Sequence, residues 1–252
     1  MIAIKKYLIL LLFVNTISYA KTNLLFYCGI TMVNPMMKIA KIIEKEYNCK
    51  ITIIQGGSQD MFNSLNLAKR GDLFLPGNDK YINYNDIYGY FEYKKIIGYN
   101  QLAIFVQKGN PKNIKSLDDF LRKDVLTTMG DLDTCSIGLA TEAVLQRYKG
   151  KEFLKKVKYN LAYSSADSRD MSRMFRTQFV DAGISWKATK YFTSNIPYID
   201  IVDIDKKYAP KRKLVITLLK FSEHKKIAKS FIDYVASPKG REIMREFGFI
   251  DE

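Results

Sequence analysis

The alternation of short apolar strands with amphipathic helices constrains this chain more than any other feature. Residues 23–27 (NLLFY) read as a strand. Asn34 and Pro35 then supply an N-cap and a proline at the first helical position. A helix over 36–47 follows, with Met37, Ile39, Ala40 and Ile43 on one face. A second strand lies at 50–54 (KITII). Gly56-Gly57-Ser58 turns the chain, Ser58 caps a helix over 59–70, and a short strand at 72–75 ends before Pro76-Gly77. Strand, helix, strand, helix, strand in this order points to a parallel sheet, because parallel neighbours need a long crossover between them.

A second unit of the same kind begins near Gln101. Residues 102–106 (LAIFV) form a continuous apolar strand, stopped by Lys108-Gly109-Asn110-Pro111. Ser116 caps a helix opening at Leu117-Asp118-Asp119. Residues 126–129 make a short strand, and a polar loop over 130–137 leads into a helix over 138–148. A helix over 171–179, strands over 181–185 and 213–219, and helices over 223–236 and 239–247 complete the pattern. The expected fold class is α/β with two lobes, each a mixed, mostly parallel sheet flanked by helices, and a cleft between them. Residues 21–100 and 220–252 are expected in the first lobe, and 101–219 in the second.

Residues 1–20 have the composition of a cleavable secretory signal peptide. Lys5 and Lys6 are basic, residues 7–14 (YLILLLFV) are apolar, and Ser18 and Ala20 are small at the −3 and −1 positions of a cleavage site. The apolar run falls short of the ~20 residues that a membrane-spanning helix needs. A periplasmic, secreted chain is therefore expected. After cleavage about 230 residues remain, enough for one large domain or two small ones. The formal net charge is +14. Its lysines are dispersed and no nucleic-acid motif accompanies them, so they read as a solvated surface and no nucleic-acid partner is expected.

Three cysteines, Cys28, Cys49 and Cys135, leave at least one thiol unpaired within the chain. Parallel strands hold Cys28 and Cys49 apart, whereas Cys28 and Cys135 are able to meet across a cleft. A single histidine, His224, argues against a His-based catalytic centre or zinc site, and reads as a surface cap of the helix that follows it. No nucleophile–base pair stands out, so binding rather than turnover is expected, with no cofactor and no protein-bound metal.

Three loop-to-helix junctions attract attention: Gly29-Ile30-Thr31-Met32, Gly56-Gly57-Ser58 and Asp133-Thr134-Cys135-Ser136-Ile137-Gly138. Each places a hydroxyl and free backbone N–H groups at a helix N-terminus. In open α/β sheets such junctions gather at the carboxyl ends of strands, where ligands bind. Several helix N-termini pointing inward make an anion site without any lysine. Singly, Thr31 and Ser58 read as ordinary caps. Arg169, Arg173 and Arg176 recur at helical spacing beside this cleft and read either as anion partners or as a solvated helix face. Tyr88, Tyr90, Tyr93 and Tyr99 read as packing.

The ordered set of motifs resembles the periplasmic molybdate/tungstate-binding proteins, type II solute-binding proteins of ABC importers. The resemblance rests on Phe26-Tyr27-Cys28-Gly29-Ile30-Thr31, Gln55-Gly56-Gly57-Ser58 and Arg70-Gly71-Asp72-Leu73-Phe74-Leu75 in turn. It continues through Val106 to Pro111, Ile114 to Asp119, Asp181-Ala182-Gly183-Ile184 and the closing 231–249 stretch. It implies capture of a small oxyanion between the lobes by a monomer, and delivery to an ABC permease in the inner membrane. It implies ligand contacts from Thr31, which replaces a family serine, from Ser58, from backbone N–H groups at Cys135 and Ser168, and from Trp186 in place of a family tyrosine. An indole N–H donates but cannot accept. Ferric-ion or small organic anion binding on the same fold, and a sensory or partner-binding envelope protein, stand as the alternatives.

Overall fold

The computed structural model describes residues 21–77, 79–131 and 136–250. Residues 1–20, expected to be a signal peptide, and Cys135 lie outside the described residues. In chain order the elements are β1 (Asn23–Gly29), α1 (Val33–Tyr47), β2 (Lys50–Gly56), α2 (Ser58–Ala68), β3 (Leu73–Leu75), α3 (Lys80–Asn85), β4 (Phe91–Asn100) and β5 (Leu102–Gln107). There follow β6 (Thr127–Gly130), α4 (Ser136–Tyr159), β7 (Leu161–Ser165), α5 (Ser168–Arg176), β8 (Ala182–Trp186), β9 (Ile199–Asp203), β10 (Arg212–Leu219), α6 (Lys225–Ala236) and α7 (Pro238–Glu246). A break at Lys149 and Gly150 divides α4 in two. Gly150 has φ 81°, left-handed backbone that ends the first half.

Two five-stranded sheets form, in the orders β2-β1-β3-β10-β4 and β7-β6-β8-β5-β9. In the first, β1 pairs in parallel with β2 and β3, and β10 runs antiparallel to both β3 and β4. In the second, β6 pairs in parallel with β7 and β8, while β5 runs antiparallel to β8 and β9. The chain crosses from the first sheet to the second at Gln101, between β4 and β5, and returns between β9 and β10.

That return corrects the expected boundary. The sequence pattern places residues 213–219 in the second lobe, but β10 lies between β3 and β4 in the first sheet. Its apolar run (KLVITLL) marks a strand buried on both faces without saying in which sheet.

The start of α1 also differs. A 3-10 turn over Ile30–Met32 precedes it and Met32 is its N-cap, so Asn34 lies inside the first turn. Pro35 is still tolerated there, because first-turn amides have no intrahelical acceptor. The inward face is Met36, Ile39, Ala40 and Ile43, and Met37 is half exposed.

In the first lobe α1, α6 and α7 cover one face of the sheet. Phe231 of α6 meets Phe26 of β1 edge-on, with ring centroids 5.4 Å apart. A smaller cluster under α2 joins Phe62, Leu65, Phe74 and Leu219 on the other face. The second lobe has its own core, including Phe105, Phe120, Phe175 and Trp186. Cys28 and Cys49 are buried free thiols. Burial pushes the Cys28 thiol well above its ordinary pKa, which keeps it protonated and unreactive.

The tyrosines near β4 pack, as their spacing suggested. Tyr88 and Tyr90 stack at 5.4 Å, and the Tyr93 hydroxyl donates to Asp233 at 2.6 Å. His224 does take the N-cap position of α6, but its side chain makes no capping bond.

Candidate functional site

Strand register sets the site. Gly29 at the end of β1 pairs with Gly56 at the end of β2, and Cys28 pairs with Leu75 at the end of β3. The segments that leave these strands therefore emerge on one edge of the first sheet, carrying Thr31, Ser58 and Gly77. In the second sheet Gly130 pairs with Ser165, which brings the starts of α4 and α5 together.

The two edges face each other around a cavity of about 20 Å³. Gly29, Ile30, Thr31, Gly56, Ser58 and Gly77 line it from the first lobe, and Ser136, Ile137, Asp167 and Ser168 from the second. The space holds about one water. Admitting anything larger requires the lobes to part, because the walls belong to different sheets.

Four hydroxyls converge here. Thr31, Ser58, Ser136 and Ser168 are exposed by only 4, 3, 6 and 5%. Thr31 Oγ1 and Ser168 Oγ lie 3.5 Å apart across the cleft. Ser58 Oγ accepts from the Gly77 amide at 2.9 Å, and Ser136 Oγ accepts from Trp186 Nε1 at 3.2 Å. A hydroxyl has one proton and two lone pairs. With a lone pair of each already taken by a protein donor, Ser58 and Ser136 have their protons to give.

Backbone adds to this. Gly57 has no side chain with which to cap α2, so the first-turn amides of α2 receive no side-chain acceptor. The N-termini of α2, α4 and α5 all point at the cavity, each carrying roughly half a positive charge. Among the described lining residues none is lysine, arginine or histidine, and Asp167 is the one carboxylate. Its Oδ1 is engaged as the cap of α5, accepting from the amides of Arg169 at 2.7 Å and Asp170 at 2.9 Å.

Of the residues expected at the site, Thr31, Ser58 and Ser168 come together. Ser58 does so as the first residue of α2, its side chain accepting from Gly77, where the sequence suggested a cap. Trp186 does not line the cavity. Its indole is fully buried behind Ser136 and donates to that hydroxyl, because β8 is a central strand and its last side chain points into the second core. Ser136 and Gly77 were missed as contributors. Ser136 stood next to the favoured Cys135, and Gly77 showed only as turn chemistry after Pro76.

Comparison with known proteins agrees with this architecture. A Haemophilus influenzae protein described as a binding protein is 24% identical over 250 residues, 94% of each chain. The sulfate-binding protein SubI of Mycobacterium tuberculosis superposes with a TM-score of 0.79 at 17% identity, covering 90% of this chain and 86% of that one. The periplasmic molybdate-binding protein of Azotobacter vinelandii gives 0.76 at 13% identity, covering 91% and 99%. At these identities the two structures establish the two-lobed fold alone. Residues 24–250 match the family described as bacterial extracellular solute-binding protein, and the chain belongs to that family.

Proposed function

We propose that this protein captures a small tetrahedral oxyanion between its lobes, outside the cytoplasm, and hands it to an ABC permease in the inner membrane. One observation carries the reading: four buried hydroxyls from both lobes converge on a small cavity, with Ser58 and Ser136 held as donors by Gly77 and Trp186. A pocket of neutral donors suits a ligand that only accepts. Ligands with protons to donate find few acceptors there and lose hydrogen bonds they made to water. Charge is offset by helix N-termini rather than by a salt bridge. That the Azotobacter and Mycobacterium proteins are described as binding molybdate and sulfate supports an oxyanion as cargo.

Binding on this geometry needs a hinge. Thr31 and Ser168 sit on opposite lobes, and the lobes are joined at Gln101 and by the segment from β9 to β10, so opening separates those two hydroxyls together.

The test is thermal unfolding of residues 21–252 with molybdate, tungstate, sulfate and phosphate. Ligand at a thousand times its Kd is expected to add ~4 kcal/mol, a rise of a few degrees or more in Tm. In Gly77→Ala the rise is expected to vanish while the ligand-free Tm moves little. The new Cβ presses into Ser136 Oγ, sits 3.2 Å from Ser136 Cβ and comes 3.4 Å from Ser58 Oγ, so it fills the cavity between the lobes. No shift with any of the four anions would refute the reading.

Trp186→Phe is a milder probe. It keeps a ring in the core and removes the donor to Ser136, leaving that hydroxyl free to rotate. Oxyanion affinity is expected to fall by about twofold to tenfold, as for one neutral hydrogen bond, measured by calorimetric titration with the best anion of the panel.

A further inference from the structure

Between β8 and β9 the chain makes an excursion that the second sheet does not require. It leaves β8 through a 3-10 turn over Lys187–Tyr191, and this strap rests on the first lobe. Ala188 is buried in the core of that lobe, and the Tyr191 ring fills the space where a side chain at Gly248 would stand. The strap then turns back to begin β9 at Ile199.

At the turn sits Asn195, fully buried and outside the lining of the pocket. Its Nδ2 donates to the Thr189 carbonyl of the strap at 2.8 Å and to Ser172 Oγ of α5 at 2.9 Å. Its Oδ1 accepts from Arg176, one turn further along α5, at 3.1 Å. Ser172 is buried too, and its own proton goes to the Ser168 carbonyl at 2.7 Å. Strap, Asn195, Ser172 and Ser168 thus form one chain of hydrogen bonds that ends at the pocket.

Resting on the oxyanion reading above, we infer that Asn195 is a positioning residue for the anion. It touches no ligand. It fixes the first turn of α5 from behind, so that the Ser168 hydroxyl and the N-terminus of that helix stay aimed at the cavity. α5 has nine residues, and a helix so short is marginal by itself. The Asp167 cap secures its first amides, but a cap leaves the helix free to tilt. Asn195 removes that freedom, because its bonds are spread over the strap and two turns of α5. By donating to Ser172 it also occupies a lone pair of that hydroxyl and leaves the proton on the Ser168 carbonyl. A pocket of donors must hold its groups to within ~0.5 Å of the ligand geometry, and buried side chains with every bond made supply that stiffness.

The experiment is calorimetric titration of residues 21–252 with molybdate, tungstate, sulfate and phosphate, with Tm measured alongside, on the parent chain, Asn195→Ala, Ser172→Ala and the double variant. Each single variant is expected to weaken the best-bound anion by about threefold to tenfold, the range of one neutral hydrogen bond. The double variant is expected to bind no worse than the weaker of the two, because both changes cut one link. Tm is expected to behave differently. Asn195→Ala lowers it in either background, since Thr189 and Arg176 lose a partner whether or not Ser172 is present. Ser172→Ala costs less, alanine being the better helix former. A merely structural Asn195 would move Tm in the same way and leave affinity untouched. Affinity within about twofold of the parent in Asn195→Ala, or a loss that recurs in full on the Ser172→Ala background, would overturn the inference while the oxyanion site stands. If Asn195→Ala does not fold, Ser172→Ala alone decides, and parent-like affinity overturns the inference. No binding of any of the four anions by the parent would overturn it together with the reading it rests on.

Discussion

Ser58→Ala combined with Ser136→Ala is expected to lower oxyanion affinity by at least about a hundredfold, since each hydroxyl gives a hydrogen bond to a charged group worth ~1.5–3 kcal/mol. The pair is chosen because one comes from each lobe and both are already committed as donors. Removing them also strands the Gly77 amide and the Trp186 indole, whose acceptors disappear. A modest fall in ligand-free stability is therefore expected beside the loss of binding. Titration of the best-bound anion reads the first effect, and urea unfolding the second. The effects differ in kind: the stability loss persists without ligand, whereas the affinity loss should scale with the charge of the anion. An affinity within about threefold of the parent, well under one hydrogen bond to a charge, would place the ligand elsewhere.

Phe231→Ala is expected to cost ~3–5 kcal/mol of stability, the usual range for a large aromatic truncated in a core. Phe231 is fully buried, lies edge-on to Phe26, and ties α6 to the central β1. Little nearby can collapse into the space, because β1 is clamped between β2 and β3 and α6 is braced by α1 and α7. The loss is read as a lower urea midpoint at unchanged slope. Because the pocket lies at the strand ends, whatever fraction stays folded should bind its anion with near-parent affinity. A cost below ~1 kcal/mol would mean that the lobe I core is more plastic than its packing indicates.

The sequence was legible at the central strands and at the outer strand β2, and illegible at the other outer strands. β1, β5, β8 and β10 carry the apolar runs that both-face burial demands, and β2, though an outer strand, shows through its β-branched KITII run. β4, β7 and β9 went unread. Each is an outer strand of its sheet, and their sequences (FEYKKIIGYN, LAYSS and IDIVD) mix charge and polarity where one side meets water.

The site shows the same division. Thr31 and Ser58 were visible because a hydroxyl at a strand-to-helix junction is a local pattern, whereas Ser168 came only from the family resemblance and as a backbone donor. Trp186 was expected at the ligand, and its indole instead lies behind Ser136 and donates to that hydroxyl. Ser136 stood inside the third junction without being singled out from its neighbours, and Gly77 becomes legible only once the two sheets face each other.

The place of β10 also bears on how the chain acquires its structure. The second sheet is drawn from one continuous stretch, from Leu102 to Asp203, and contains everything it needs. The first sheet stays unfinished until Arg212 pairs with Asn100 and the strand slides between β3 and β4. Closing so long a loop costs modest free energy but considerable time, because distant contacts must be found before they are rewarded. The lobe begun first in the chain is thus the lobe completed last. Until then β3 and β4 present open edges able to recruit the wrong strand.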